Sequence, residues 1–403
     1  MAVIHPFKAW RPTTDNIKEV ACVPYDVISS EEARKLAAGK PKSFLHVIRP
    51  EIDLPKNIDF NDDRVYQKGA ENLRRFISNN ILRQENEPAI YVYRLIMGGR
   101  SQTGVFTCVS VEDYDNEVIL KHELTRPIKE DDRTRHILSQ SAHAEPVMMT
   151  YKDDQPIDKL VEETMSNLEP IFDFKAEDGV QHTVWKSNQS DEVAKAFGGV
   201  EHLYIADGHH RCKSASRAAE QKRENNRNHT GNEEYNFFPA VLFPMSQMEI
   251  LAYNRIVHSV PNDFKNQLKN KFQVLETVSP KPENKGEVSV YIDGEWFGFK
   301  LPVSEEPNSV EKLDAHRLQS FILQPMLGIN DPRRDDNISF VGGIRGTEEL
   351  ENRVDSGKAA AAFSMYPTSI EELVEVSDEG MLMPPKSTWF EPKLRSGLLV
   401  HTF

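Results

Sequence analysis

The segment 204–211, Tyr-Ile-Ala-Asp-Gly-His-His-Arg, constrains this chain more than any other part of its sequence. An apolar, strand-like run leads into Asp207 and Gly208, and a long helical segment follows Arg211. The first N–H groups of a helix have no partner within the helix, and the helix dipole makes that end positive. A strand that enters a helix through a glycine therefore favours binding of an anionic group, phosphate above all.

The side chains around this turn fit the same chemistry. Gly208 permits a close approach of ligand to backbone, Arg211 offers a planar fork of donors, and His209 and His210 can donate further hydrogen bonds. Asp207 is suited to hold Mg²⁺ or to accept a substrate proton. The structural alternative is that Asp207 only caps the helix and Arg211 only pairs with a carboxylate. Zinc binding is disfavoured, because adjacent histidines point in different directions and no HxxxH or CxxC accompanies them.

A second candidate group lies in the block 121–133, which alternates acidic and basic residues. Such alternation is typical of a solvated surface, but the block stands between two strand-like runs, where it could also form a cleft wall. Glu123, beside His122, is a candidate general base. The cations that would neutralise phosphate are Arg126, Lys129 and Arg133.

Two further loops carry candidate binding residues. Pro24 restricts the loop that presents Tyr25 and Asp26, which we predict to contact substrate; the alternative is that Asp26 caps the following helix. Near the C-terminus, two prolines stiffen a loop whose side chains suit an anionic group, with a plain surface turn as the alternative. These side chains are Lys386, Ser387 and Thr388.

Four of these motifs, in order along the chain, resemble the domain-of-unknown-function family ten-fifteen. They are Pro-Tyr-Asp-Val-Ile at 24–28, the block 122–133, Ala-Asp-Gly-His-His-Arg at 206–211 and Met-Pro-Pro-Lys-Ser-Thr at 383–388. The third motif is also similar to the nucleotide-phosphate motif of the ParB/sulfiredoxin superfamily. That superfamily includes chromosome-partitioning CTPases, sulfiredoxin and free-serine kinases.

The resemblance implies a ParB/sulfiredoxin-like α/β core in which Gly208, His209, His210 and Arg211 hold phosphates. Members of family ten-fifteen tend to be encoded beside enzymes of serine biosynthesis, which favours the serine-kinase branch. Sulfinic-acid reduction is disfavoured because His209 stands where sulfiredoxin has its catalytic cysteine. A DNA-partitioning role is disfavoured because the chain has 49 Lys and Arg against 63 Asp and Glu, a net charge of −14.

Strand and helix signals interleave without a regular βαβ period, so the predicted fold class is mixed α+β. The β-hairpin 89–111 is one clear signal, because two strand-like runs flank Gly98-Gly99. We predict three parts: an N-terminal α+β part at 1–115, a phosphate-binding core at 116–260, and a further α+β part at 261–403 that closes the site.

The remaining composition indicates a reducing compartment. Three cysteines occur singly, without a CxxC pair, and the N-terminus lacks the basic and apolar regions of a signal peptide. No apolar run approaches the roughly 20 residues that cross a bilayer. We therefore predict a cytoplasmic protein whose partners are small molecules, with neither nucleic acid nor membrane among them.

The predicted function is a nucleotide-dependent phosphotransferase acting on a small hydroxylated metabolite, with free serine as the first candidate and Mg²⁺ with ATP or ADP as cofactors. The predicted catalytic residues are Glu123, Asp207 and His209, while Lys129 and Arg133 would stabilise the developing charge. The alternative is a non-catalytic regulator that binds a nucleotide or phosphometabolite in the same cradle. A third reading, an interaction scaffold, predicts neither binding nor turnover.

Overall fold

The computed structural model describes residues 1–403, which form two compact units. The first unit contains Met1–Leu120, Thr125–Met248 and Pro392–Phe403, and the second contains Lys121–Leu124 and Glu249–Glu391. The predicted division into parts at 1–115, 116–260 and 261–403 stays a prediction.

The strands, in chain order, are β1 (Ile4–His5), β2 (Trp10–Pro12), β3 (Leu82–Gln84), β4 (Tyr91–Met97), β5 (Arg100–Ser110), β6 (Ile119–Leu120), β7 (Ala142–His143), β8 (Val147–Tyr151), β9 (Phe172–Lys175), β10 (Gln181–Lys186), β11 (Leu203–Asp207), β12 (Phe237–Pro244), β13 (Ile250–Leu251), β14 (Tyr253–Val257), β15 (Glu287–Ile292), β16 (Glu295–Lys300), β17 (Ile338–Gly342), β18 (Ala361–Met365), β19 (Trp389–Phe390) and β20 (His401–Thr402).

The α-helices are α1 (Ile17–Val20), α2 (Ser30–Ala37), α3 (Leu45–Ile48), α4 (Asp63–Ser78), α5 (Val111–Asp115), α6 (Pro127–Gln140), α7 (Gln155–Asn167), α8 (Ser190–Phe197), α9 (His209–Asn225), α10 (Phe264–Lys271), α11 (Asp314–Leu318), α12 (Gln324–Leu327), α13 (Glu348–Asp355) and α14 (Ile370–Asp378). A π-helical turn, Gln319–Leu323, joins α11 to α12. No helix combines the length and the apolar composition that crossing a bilayer requires.

The first unit is built on a nine-stranded sheet with the order β6-β11-β8-β12-β5-β4-β10-β9, and β1 pairs with β5 off this path. Two pairs, β11 with β6 and β12 with β8, are parallel, and the other pairs are antiparallel. Helices and strands of both pairing types share this unit. The predicted mixed α+β class is therefore confirmed.

The centre of this sheet is apolar on both faces. All residues of β8 are buried, as are the first four residues of β11, so these strands read as continuous apolar runs instead of alternating ones. Asp207 is the last residue of β11, where the strand leaves the core and its side chain becomes partly accessible. The buried sheet thus fixes the position of the candidate turn.

The β4–β5 hairpin forms as the sequence predicts. Gly98 and Gly99 have φ angles of +59° and +84°, a conformation that glycine adopts without steric cost. The second unit has an equivalent hairpin, because Asp293 and Gly294 join β15 to β16 with φ angles of +53° and +78°. These turn residues determine register as well as position.

The second unit contains a five-stranded antiparallel sheet with the order β16-β15-β18-β14-β17. Its core is formed by apolar side chains of this sheet and of α10 and α11, among them Val290, Phe363, Leu268 and Leu318, each fully or nearly fully buried. A two-stranded pair, β13 with β19, brings Ile250 opposite Phe390.

The charge-dense block 121–133 contains a helix that the sequence analysis does not predict. Pro127 opens α6 in the first turn, where its missing N–H costs nothing. The buried side of α6 carries Asp132, Arg133 and His136. The hydrophobic period that would identify a helix is therefore absent, because the packed face is itself polar.

Gly104, in β5, allows a close approach of β12. A Cβ atom at position 104 would lie 2.6 Å from the carbonyl oxygen of Leu242 and 2.6 Å from the ring of Phe243. Neither backbone nor packed ring can move far, so we expect Gly104→Ala to lower the free energy of unfolding by about 1–3 kcal/mol. Urea titration measures this, with Ser101→Ala, an exposed position in the same strand, as the control. Equal stabilities of the two variants would contradict the prediction.

Candidate functional site

The turn between β11 and α9 has the geometry that its sequence predicts. Gly208 has a φ of +119°, and a Cβ atom there would lie 3.1 Å from Nε of Arg211 and 3.2 Å from a methyl group of Val147. Helix α9 begins at His209, three residues before the predicted start at Cys212. The N-cap residue of this helix is Gly208, which has no side chain that could accept a hydrogen bond. The first N–H groups of α9 thus have no acceptor within the helix itself.

Helices α6 and α9 run parallel. The N–H of Arg126 donates to Nε2 of His210 (3.0 Å), the hydroxyl of Ser214 donates to the carbonyl of Glu130 (3.1 Å), and Arg217 pairs with Glu130 (3.3 Å). The partners are 84, 84 and 87 positions apart in sequence, and such a nearly constant separation requires parallel axes. The N-terminal ends of both helices therefore lie together, and both dipoles point their positive ends to the same place.

His210 joins the two helix ends as a neutral side chain. A backbone N–H can only donate, so Nε2 of His210 accepts the hydrogen bond from Arg126 and the ring proton lies on Nδ1. The structure thus brings together two candidate groups that are far apart in sequence. Arg126, which is exposed, stands at the start of α6 beside His210.

Two cations hold the carboxylate of Asp207. Nζ of Lys393 donates to Oδ2 at 3.0 Å, and Nη2 of Arg211 donates to Oδ1 at 3.3 Å. Burial alone would raise the pKa of Asp207, but the attraction of Lys393 and then of Arg211 outweighs it and holds that pKa well below its usual range. The side chain of Asp207 is 24% exposed. Asp207 is therefore an ionised, partly accessible carboxylate and a weak proton acceptor.

Arg211 lies beneath this carboxylate and is only 9% exposed. Its guanidinium donates to the carbonyl of Pro146 and to Asp207, and it lies 3.8 Å from a carboxylate oxygen of Asp26. These carboxylates raise the pKa of Arg211 against the effect of burial, so its charge is permanent. Arg211 thus positions Asp26 and Asp207, which come from distant parts of the sequence, around one cation.

Arg133 occupies a similar buried position. It pairs with Asp132 at 2.9 Å, and its guanidinium lies over the ring of Tyr25 at 4.1 Å. The N–H of Tyr25 donates to Glu145 (3.1 Å), and a guanidinium nitrogen of Arg133 lies 3.9 Å from the same carboxylate. Burial raises the pKa of Glu145, although Arg211 and Arg133 oppose this. The loop carrying Tyr25 and Asp26 is therefore fixed by the two buried arginines.

A cavity of about 40 Å³ lies behind this network and is lined in part by Arg133, Glu145 and Arg211. Buried nitrogens of three lining side chains lack a hydrogen-bond partner, namely Nδ1 of His136, Nε2 of His143 and Nε of Arg211. The rest of the lining is largely apolar, and a space of this volume beside these nitrogens has room for up to roughly three water molecules. Such water molecules would satisfy these nitrogens and hydrate the two arginines.

The remaining candidates have different surroundings. Lys129 is half-buried, its ammonium lies 5.6 Å from the centre of the Phe60 ring, and burial lowers its pKa. In the second unit, the N–H of Met383 donates to the carbonyl of His122 (2.8 Å), and the hydroxyl of Thr388 lies 3.5 Å from Nε2 of His122. The segment that carries Glu123 is thus joined to the loop 383–388.

In that loop, Lys386 has a φ of +61° and lies over the ring of Tyr253 at 5.5 Å. The hydroxyl of Ser387 donates to the carbonyl of Pro384 (2.7 Å). Ser387 is buried and already engaged with backbone, whereas Lys386 is exposed. The predicted phosphate-binding role of Lys386, Ser387 and Thr388 stays a prediction.

Sequence reasoning misses two residues of the site, Lys393 and Glu145. Lys393 is 186 positions from Asp207, and Glu145 is 120 positions from Tyr25. The only local signal for Lys393 is its place at the end of the proline-rich C-terminal segment. Neither contact follows from spacing or periodicity, because each joins segments that only the folded chain brings together.

The model of the family described as Protein of unknown function (DUF1015) matches residues 4–316 of this chain. No curated protein matches it. A solved structure described as free serine kinase in complex with AMP is 14% identical and covers 71% of this chain and 86% of its own, with a TM-score of 0.37.

Two further solved structures are similarly distant. SbnI with C-terminal truncation, from Staphylococcus aureus, is 12% identical and covers 73% of this chain and 87% of its own, with a TM-score of 0.40. A conserved hypothetical protein from Pyrococcus furiosus is 14% identical and covers 71% of this chain and 90% of its own, with a TM-score of 0.36.

The contacts of Arg211 predict a stability effect for Arg211→Lys. The ammonium keeps the charge but cannot donate at once to Pro146 and Asp207 while facing Asp26. We expect the free energy of unfolding to fall by about 1–3 kcal/mol, the cost of leaving buried polar groups unpaired. Urea titration measures this, with the exposed substitution Arg83→Lys as the control. An unchanged stability would show that the buried network does not depend on the guanidinium.

The pairing of Lys393 with Asp207 predicts a pH-dependent effect for Lys393→Met. A depressed carboxyl pKa stabilises the folded state above the ordinary value of 3.8 and loses this effect as the pH falls below it. At pH 7 we expect Lys393→Met to lower the free energy of unfolding by roughly 1.5–3 kcal/mol. The difference from wild type should shrink progressively as the pH falls below about 4 toward the depressed pKa of Asp207, whereas a constant difference would contradict the pairing. Lys8→Met, at an exposed lysine, is the control.

Proposed function

This chain belongs to the family described as Protein of unknown function (DUF1015), and we propose that it is a nucleotide-dependent phosphotransferase acting on a small hydroxylated metabolite. The proposal is carried by the convergence of the α6 and α9 N-termini beside the ionised carboxylate of Asp207. Phosphoryl transfer asks the protein mainly to position the reactants and to neutralise charge. Two aligned helix N-termini can neutralise phosphate charge, and a carboxylate held in place by two cations can help to position the reactants.

The phosphate-binding groups in this proposal are mostly backbone. The first N–H groups of α9, from Gly208 onward, and the exposed guanidinium of Arg126 would receive the phosphates. His210 would hold the two helix ends in place, because its ring already accepts from the N–H of Arg126. Arg211 and Arg133 would act as positioning residues, since their guanidiniums are engaged with protein carboxylates.

Asp207 fits Mg²⁺ better than it fits the role of proton acceptor. Its oxygens are hard ligands of the kind that Mg²⁺ prefers, and Lys393 with Arg211 keeps them ionised at neutral pH. Bound Mg²⁺ would neutralise charge on the transferred phosphate. The same depressed pKa makes Asp207 a poor base, so Glu123 is the better candidate for accepting the hydroxyl proton, with His209 the remaining catalytic candidate.

Serine is the first acceptor to test, on the strength of the sequence resemblance described above. The folded protein, with Mg²⁺ and either ATP or ADP, should convert serine to phosphoserine, detected by mass spectrometry. Asp207→Asn keeps the size of the side chain but removes its charge, and we expect turnover to fall by about 100-fold or more. Asp191→Asn, in the exposed first turn of α8, should behave as wild type.

Absence of phosphoserine with both donors would remove serine as the acceptor. A panel of other hydroxylated metabolites, scored by consumption of the nucleotide, would then test the wider proposal. Failure to consume either nucleotide with any acceptor would reject phosphotransfer.

Arg211 and Arg133 are paired with protein carboxylates and are therefore engaged before any substrate binds. This favours a second candidate function, a regulator that binds a nucleotide or phosphometabolite without catalysing a reaction. A ligand that binds only the folded state stabilises it by about 2.7 kcal/mol at a hundredfold excess over Kd. Thermal unfolding with nucleotides and Mg²⁺ therefore separates the candidates. Stabilisation without turnover would support the regulator, and neither response would reject both.

A further inference from the structure

The first unit contains a second pocket, with a volume of about 390 Å³, which falls in the range of small-molecule sites. It lies among α1, α2, β9 and the C-terminal segment, and it shares no lining residue with the Asp207 site. Its lining residues are Lys18, Glu19, Ala21, Cys22, Val23, Leu36, Lys40, Ser43, Leu45, Phe174, Lys175, Ala176, Glu177, Asp178 and Arg395.

Arg395 is the anchor of this pocket and is only 6% exposed. Its Nε donates to Nε2 of His182 at 3.2 Å, its Nη2 pairs with Asp178, and its backbone N–H donates to the hydroxyl of Tyr93 at 3.4 Å. An arginine nitrogen can only donate, so Nε2 of His182 accepts and the ring is neutral. Burial and the charge of the neighbouring Arg395 lower the pKa of His182 to about 3, which also favours the neutral ring.

The contacts with His182 and Asp178 thus hold the guanidinium of Arg395 in one orientation, and the bond to Tyr93 fixes its backbone. The ring of His182 is further held by Tyr93, whose hydroxyl lies 2.8 Å from Nδ1, and by a stacking contact with Phe174 at 5.3 Å. The remaining terminal nitrogen of Arg395, Nη1, makes no hydrogen bond to the protein and is not sealed from solvent. A cation of fixed orientation with one terminal nitrogen unused therefore lines the pocket.

The rest of the lining determines what this donor can bind. Charged lining residues comprise four cations (Lys18, Lys40, Lys175 and Arg395) and three anions (Glu19, Glu177 and Asp178), so the local balance is +1 within a chain of net −14. Most of the remaining lining is apolar, with Leu45 and Phe174 buried. A ligand of one negative charge and an apolar body matches both properties.

We propose that this pocket binds a small organic monocarboxylate, whose carboxylate accepts a hydrogen bond from Nη1 of Arg395 and whose apolar body lies against Phe174 and Leu45. Dianionic phosphate fits less well. Three acidic side chains line the same pocket, and the bond to Nε2 of His182 takes the Nε–H that a side-on two-donor fork onto phosphate would need. The proposal goes beyond the phosphotransferase function and does not depend on it.

The test uses benzoate and hexanoate as probes, with benzamide and hexanamide as uncharged partners of the same shape. Isothermal titration of the full chain should show saturable binding of at least one acid. Its amide should bind at least about tenfold more weakly, because the amide forgoes the charge-assisted hydrogen bond. Equal affinity of acid and amide, or no binding of either acid, would overturn the proposal. Competition by inorganic phosphate at equal concentration would also overturn it.

Two variants locate the binding. Arg395→Met removes the donor and keeps most of the side-chain volume. It should lower the affinity for the acid by about tenfold or more and leave the affinity for the amide unchanged. Ala21→Trp narrows the pocket and leaves Arg395 unchanged in the sequence. It should lower the affinities for the acid and for the amide alike. This second variant keeps the test decisive if Arg395→Met does not fold. Arg83→Met, at an exposed arginine, should bind as wild type, and acid binding that survives in each folded pocket variant would overturn the assignment.

Discussion

The guanidinium of Arg211 is the contact on which the arrangement of the first unit most depends. It ties the start of α9 to the carbonyl that precedes β8 and to carboxylates from two separate segments, Asp26 and Asp207. Charges this deeply buried are tolerated only when each has partners, so the surrounding loops must take up matching positions. The cation thereby converts a glycine turn, which by itself only permits ligand approach, into a turn with a fixed acidic group beside it.

The C-terminal segment completes this arrangement from the far end of the chain. Lys393 reaches Asp207, Ser396 donates to Glu145 at 3.1 Å, and Arg395 lines the second pocket. β20 then pairs with β7, which places His401 opposite His143. Lys393 and Arg395 are two positions apart, so one short segment contributes a cation to both candidate sites. The first unit is therefore built from both ends of the chain, and its chemistry depends on the last twelve residues.

Local sequence signals were reliable where local physics decides the structure. The β4–β5 hairpin follows from turn residues that accept positive φ, and the turn at Gly208 follows from an apolar run that meets a glycine. Helix α6 was missed for the opposite reason. Its packed face carries Asp132, Arg133 and His136, so it shows no apolar stripe, and only the partners supplied by Tyr25, Glu145 and Tyr66 make that face suitable for burial.

The sequence by itself determined the mixed α+β class, the strand–glycine–helix turn and the residue types around it, because each depends on a few consecutive residues. The tertiary structure alone decided which of those side chains are accessible. Arg211 and Arg133, which the sequence predicts as phosphate ligands, lie buried among carboxylates, whereas Lys393, which the sequence does not predict as a site residue, holds Asp207. The physical reason is that a charge takes its role from its nearest partners, and here those partners are brought together only by long-range packing of segments more than 100 positions apart.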